Sequence, residues 1–161
     1  MNVPLITPEL VCLDADLGST KAEVITSVAG IIAAAGRADA DGLSHDALDR
    51  EAQSPTGMPG GFAIPHCRSA AVSQPSLGFA RLSPAVDFNG PEGPADLVFM
   101  IAAAEGAGAD HMKLLTKLAR ALVKPEFVEQ LRQAADAQTV VDLIESVVEP
   151  DAAAPSSAAV S

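Results

Sequence analysis

His66 closes a short apolar run, Gly60-Gly61-Phe62-Ala63-Ile64-Pro65-His66-Cys67-Arg68. A neutral imidazole, with a reference pKa of about 6.5, is a usable nucleophile at cellular pH. One ring nitrogen can accept a group such as a phosphoryl while a hydrogen bond holds the other. Pro65 has no N–H to donate, so a strand over Phe62 to Ile64 is expected to stop there and leave the imidazole on a strand-to-loop edge. Apolar Phe62 and Ile64 would dry the surroundings, and Gly60 and Gly61 would let another protein's backbone come close. On residue types alone, a lone histidine at a strand end is more often structural than chemical.

Two further residues change that balance. Arg50, followed by Glu51, precedes a loop from Ser54 to Gly61 that contains Thr56-Gly57. A guanidinium fork can neutralise phosphoryl oxygens bidentately, the plainer alternative being a surface pair with a carboxylate. His111 falls in the first turn of an amphipathic segment, where free N–H groups and the helix dipole favour an anion. Its alternative is a buried histidine at the end of the apolar stripe. Cys67 as nucleophile, with His66 or His111 as base, would be a different chemistry. Adjacent residues of an extended segment point to opposite sides, which makes the His66–Cys67 pairing poor. His45, His66 and His111 show no ligand spacing and no accompanying acid cluster, so no metal is expected. Thr56 to Gly61 lacks the Gly-Lys-Ser/Thr ending of a phosphate cradle, so neither ATP nor another cofactor is expected.

The elements that must position these groups are legible in the pattern. Leu10 to Leu13 reads as a short strand, followed by a turn at Asp16 to Gly18. Thr20 and Glu23 have capping-box spacing, Val24, Val28, Ile31, Ile32 and Ala35 make an apolar stripe, and Gly36 suits the stop. A shorter helix is expected over Ser44 to Ala52. Leu77 to Leu82 and Leu97 to Ile101 are strands, the second central because it is nearly all apolar. Val86 and Phe88 add an edge piece before a turn at Asn89-Gly90. Asp110 to Leu122 is a helix with His111, Leu115, Leu118 and Leu122 on one face. Pro125 opens another at its first position, and Thr139 to Val148 makes the last. The sum is an α/β (α+β) fold, one domain over residues 1–148 with a small mixed sheet flanked by helices. Residues 149–161, rich in Ala, Pro and Ser, read as a linker toward further domains or a disordered tail.

Composition narrows the function. The 161 residues carry a formal charge of -11, which disfavours nucleic acid and suits a basic protein partner or simple solubility. The N-terminus lacks a secretory pattern, and the longest apolar stretch, Ile31 to Ala35, is too short to span a bilayer. Two cysteines, Cys12 and Cys67, make no disulfide framework and suit the cytoplasm.

Arg50-Glu51, Ser54-Pro55-Thr56-Gly57 and Gly61-Phe62-Ala63-Ile64-Pro65-His66, taken in order, resemble the RE…TG…GxAIPH signature of fructose/mannitol-type enzyme IIA domains. These are the A components of the bacterial sugar phosphotransferase system (PTS). Asp110-His111-Met112-Lys113-Leu114-Leu115, then Leu118-Ala119-Arg120, is similar to that family's H-x-x-x-L…L-A-R helix. The resemblance spans roughly residues 5–148. It implies a mannitol-IIA-like fold, with His66 phosphorylated at Nε2, Arg50 stabilising the phosphoryl group and His111 beside it. Thr56, Gly57, Gly61 and Glu51 are the binding residues it implies around them. The implied donor is the phosphocarrier protein HPr. The implied acceptor is a cysteine of an EIIB domain, in a longer polypeptide that also holds a membrane EIIC domain. The chain itself would then be cytoplasmic and tethered to the inner face of the membrane. Cys67-Arg68 and Ser76 to Leu82 look most like the fructose branch. A nitrogen-type regulatory EIIA, binding partners according to its phosphorylation state, is the second reading.

Overall fold

The computed structural model describes residues 4–91, 93–106 and 108–148, without the side chains of 108–110. The expected linker at 149–161 lies outside the described residues. After a short 3-10 turn at Pro8–Leu10 the chain runs β1 (Val11–Ala15), α1 (Lys21–Ala34), α2 (Ala40–Gln53), β2 (Gly57–Met58), β3 (Phe62–Ala63) and β4 (His66–Ser69). It continues through β5 (Ser76–Val86), β6 (Ala95–Ala104), α3 (Gly108–Leu122), α4 (Pro125–Gln133) and α5 (Ala137–Val148).

The sheet has the order β1-β5-β6-β3-β2, with β4 also on β6. It is mixed: β1–β5, β3–β6 and β4–β6 are parallel, while β5–β6 and β2–β3 are antiparallel. Strand β6 lies at the centre, and its run from Leu97 to Ala103 is buried, as a strand covered on both faces should be. Alternation along the strands sorts the helices onto two faces. A Cβ on Gly78 would stand 3.0 Å from Val28 Cγ1 and 3.3 Å from Ile32 Cδ1, so α1 lies close over that face of β5. On the other face Arg81 donates to the carbonyls of Leu131, Arg132 and Ala134 at 2.9–3.1 Å, capping the end of α4. Phe79 and Phe62 both meet Phe99 edge-on, with centroids 5.2 and 6.2 Å apart, and fill the core around β6.

Local signals hold where caps are strong. Thr20 Oγ1 accepts from the Glu23 N–H while Glu23 Oε1 accepts from the Thr20 N–H, the reciprocal box that starts α1. Pro125 stands at the first position of α4. Helix α2 begins earlier than Ser44, because the Asp39 carboxylate accepts from the Gly42 N–H and caps it there. The edge piece at Val86 joins β5 across an irregular register. The loop expected from Ser54 to Gly61 also holds a short strand, β2, because β3 offers it an antiparallel edge.

Candidate functional site

Strand β3 does stop short of Pro65, at Ala63, but pairing with β6 resumes at His66 as β4. Phe62 and Ala63 stand opposite Leu97 and Val98, and His66 to Ser69 stand opposite Ile101 to Ala104 in the same register. Proline loses only its donor; its carbonyl still accepts from the Ile101 N–H at 3.0 Å. The ladder therefore skips a rung and resumes, and His66 sits on a paired strand instead of a loop edge. That pairing fixes which way each side chain points. His66 and Arg68 turn to the α3 side, whereas Cys67 and Ser69 turn under α2, where the Ser69 hydroxyl donates to Asp46.

The half-buried His66 ring is held by one bond: Nδ1 meets the Ile64 carbonyl at 2.8 Å. A carbonyl only accepts, so Nδ1 carries the proton and Nε2 keeps its lone pair. The His111 ring lies beside it, 5.5 Å between centroids. His111 is buried at 6% exposure, and its Nδ1 is the one sealed polar side-chain atom without a partner among the described residues. Its Nε2 is thus the nitrogen it has to offer. Both imidazoles are held below the usual imidazole range. For His66 burial is the main cause and Arg50 adds to it, against the Ile64 bond and Glu51. For His111 burial leads, followed by the charges of His66, Arg68 and Arg50. Both rings are neutral at cellular pH.

His66, His111, Arg50 and Arg68 line one open cleft of about 860 Å³, together with Asp46, Asp49 and Glu105. Arg50 comes from the last turn of α2, where Nη1 donates to the Ser54 carbonyl at 3.1 Å. Arg68 was not among the site residues expected from sequence. Its signal was available, since it stands two residues from His66 on one strand and so shares a face with it. An apolar cleft adjoins the first, lined by Met58, Ile64, Leu115 and Ala119 with Thr56 and His66. Met58 is exposed beside His66, and Met112 beside both imidazoles.

The other expected binding residues are placed as supports. Glu51, 4% exposed, takes the Thr56 N–H at 2.8 Å and the Thr56 hydroxyl at 2.6 Å, and Lys21 Nζ stands 3.3 Å away. Gly57 is pressed under the Asn89-Gly90 turn; a Cβ there would meet the Phe88 carbonyl oxygen at 2.5 Å. Gly61, with φ +81°, faces the guanidinium of Arg132, which also donates to the Gly60 carbonyl and to Asp96. The close neighbour that Gly61 admits is the chain's own α4, through Arg132. Cys67 is buried, and burial with Asp46 nearby pushes its thiol up to about 11, which removes it as a nucleophile. The expectation that no acids accompany the histidines fails at His45. On the exposed side of α2 its Nδ1 lies 3.3 Å from the adjacent Asp46 and 3.7 Å from Asp49, which stands one turn on and shares its helix face.

The arrangement offers a neutral nucleophilic nitrogen, two guanidinium groups for an anion's charge and apolar walls beside them. Residues 4–147 match the family described as phosphoenolpyruvate-dependent sugar phosphotransferase system, EIIA 2. The PTS fructose-specific EIIA component of Haloferax volcanii is 37% identical over 151 residues, covering 92% of this chain and 97% of that one. The nitrogen regulatory protein IIA-Ntr of Neisseria meningitidis superposes with a TM-score of 0.80 at 25% identity, over 87% of this chain and 96% of that one. IIA mannitol of Escherichia coli superposes with a TM-score of 0.72 at 26% identity, over 86% and 97%, and the expected mannitol-IIA-like fold is observed. Among the described residues no helix is long and apolar enough to cross a membrane. By sequence, fold and the company its histidine keeps, the chain belongs to the EIIA type 2 family of the phosphoenolpyruvate-dependent sugar phosphotransferase system.

Proposed function

We propose that this chain is a phosphoryl carrier, taking the group from phospho-HPr onto His66 and handing it to a cysteine of an EIIB domain during uptake of fructose or a related sugar. The observation that carries this reading is the hydrogen bond from His66 Nδ1 to the Ile64 carbonyl, which leaves Nε2 with its lone pair on a ring that lines the cleft. In the first step the Nε2 lone pair attacks phosphorus in line. The bond from phosphorus to the donor's imidazole nitrogen breaks, and the electron pair leaves with that imidazole. In the second step a thiolate attacks the same phosphorus and His66 departs neutral.

Such transfers have a loose transition state, so the protein contributes positioning and charge more than covalent help. Arg50 and Arg68 would meet the phosphoryl oxygens, and His111 would offer its Nε2 from the side. The apolar cleft of Met58, Ile64, Leu115 and Ala119 would be covered by the docked partner and exclude water, which would otherwise hydrolyse the phosphohistidine. Glu51, Thr56, Gly57 and Gly61 would act from beneath, by shaping the loop.

The test is incubation with phosphoenolpyruvate, the system's first enzyme and HPr. One acid-labile phosphate per chain is expected, and none on His66→Ala; label retained by that variant would falsify the assignment. The likeness to a nitrogen regulatory protein supports a second reading, in which the phosphorylated and free forms bind a regulatory target. Transfer from the labelled chain to a fructose-type EIIB separates the two, since a purely regulatory chain passes nothing on.

A further inference from the structure

The pairing of β2 with β3 lacks one bond. Gly57 stands opposite Ala63 and Met58 opposite Phe62, which places Thr56 opposite Ile64. A hydrogen-bonded pair in an antiparallel ladder exchanges two bonds, each residue donating its N–H to the other's carbonyl. Here the Ile64 N–H donates to the Thr56 carbonyl at 3.2 Å. The reciprocal donor, the Thr56 N–H, is turned instead onto Glu51 Oε2 at 2.8 Å. The Thr56 hydroxyl follows it onto Oε1 at 2.6 Å. The Ile64 carbonyl, passed over by its natural strand partner, receives His66 Nδ1 at 2.8 Å.

We propose that Glu51 is a positioning residue for His66: by holding the Thr56 N–H it reserves the Ile64 carbonyl for Nδ1, and so fixes the ring proton there and the lone pair on Nε2. A carboxylate at 4% exposure is unfavourable unless its lone pairs are used, and here Thr56 and Lys21 use them. Lys21 Nζ also reaches Asn89 Oδ1 at 2.6 Å, which ties the carboxylate to the turn that packs over Gly57. Without Glu51 the Thr56 N–H would be a freed donor directly opposite the Ile64 carbonyl. Closing that rung would satisfy the donor, and the imidazole would share its acceptor or lose it. Pro65 makes the competition matter, since it restricts Ile64 to extended backbone and leaves the carbonyl no easy way to turn aside.

The consequence for phosphoryl transfer rests on the function proposed above; the consequence for the imidazole does not. In the unaltered protein, the through-hydrogen-bond 15N–13C coupling of the Thr56 amide is expected to run to the Glu51 side-chain carboxyl carbon. A coupling to the Ile64 carbonyl carbon overturns the proposal without any variant. The 15N shifts of the His66 ring are then compared in Glu51→Ala and Glu51→Gln. The alanine variant is expected to lose the uniform Nδ1–H tautomer, with acceptance from phospho-HPr slowed about tenfold or more through misplacement. Glutamine keeps an acceptor for the Thr56 N–H and is expected to restore both. An unchanged His66 tautomer in folded Glu51→Ala, or a glutamine variant no better than alanine, refutes the positioning role. If the tautomer responds as expected while no form accepts a phosphoryl group, the positioning stands and the proposed function falls.

Discussion

The imidazole rings of His66 and His111 lie 5.5 Å apart between centroids, with their planes inclined by 46°. They are neighbours without being stacked. Two positive charges at that separation would repel by about 3 kcal/mol at an effective dielectric constant of about 20. Double protonation is therefore disfavoured, and burial pushes each ring further in the same direction. The pair is built to stay neutral, which a nucleophile needs and a simple anion-binding site would not.

That neutrality has a pH signature. An ordinary imidazole is half protonated near a pH of about 6.5. Acceptance of phosphate by His66 is expected to stay level through that value and to fall only at more acidic pH. Stability follows the same sign. Both rings titrate lower in the folded chain, so the unfolded chain binds protons first as pH falls. The stability contributed by neutral His66 and His111 is complete above about 6.5 and is lost as pH falls through their folded values. Ring titrations followed by NMR, with thermal melts across the same range, check both. A His66 titrating at or above the ordinary value would contradict the account.

Arg50 spends one nitrogen of its fork on the Ser54 carbonyl and has the rest for the cleft. Arg50→Ala is expected to fold and to accept phosphate about 10–100-fold more slowly, the range that a charge-assisted hydrogen bond provides. Arg50→Lys keeps the charge without the fork and is expected to fall between the two. Single-turnover transfer from phospho-HPr measures it. Rates equal to the unaltered chain would reduce Arg50 to a helix-end contact.

Arg81 gives a contrasting case, since its contacts lie away from the cleft. Its guanidinium binds Asp14 and three carbonyls at the end of α4. Arg81→Ala leaves those carbonyls without a donor and is expected to lower stability by about 2–4 kcal/mol. Phosphate acceptance at a temperature where the variant is folded should be unchanged. Urea unfolding paired with the transfer assay separates the two effects.

Cys67 adjoins His66 in sequence and is unreactive in the fold. With its thiol pushed up to about 11, it should resist alkylation at neutral pH, while half-buried Cys12 reacts faster. Cys67→Ser is expected to accept phosphate normally. Mass-mapped labelling in the native state reads the order of reaction, and early modification of Cys67 would show the α2 side to be open.

Much of this is legible in the residues alone. Thr20 and Glu23 announced α1 because a capping box is local, and the apolar run at Leu97 announced a central strand because burial on both faces leaves no polar position. His66, Arg50 and His111 could be chosen by type and spacing, and the fold brings all three to one cleft. What escaped depends on distant partners. β2 is two residues long and exists only because β3 offers it an edge. Arg68 belongs to the cleft only if β4 exists, and β4 was hidden by the assumption that proline ends a ladder. Gly60 and Gly61 looked like an opening for another protein until Arg132, some seventy residues on, filled the space.

The unbroken register across Pro65 also sets a rule for insertions and deletions. Between Ala63 and Ser69 the chain is read in steps of two, odd and even residues on opposite faces. Deleting one residue between Ala63 and His66 would swap the faces of His66 and Cys67, turning the imidazole toward α2 and the thiol into the cleft. A change of two residues would keep the faces but move the imidazole along β6, away from His111. The segment tolerates neither, so its length is as much a part of the site as the histidine it carries.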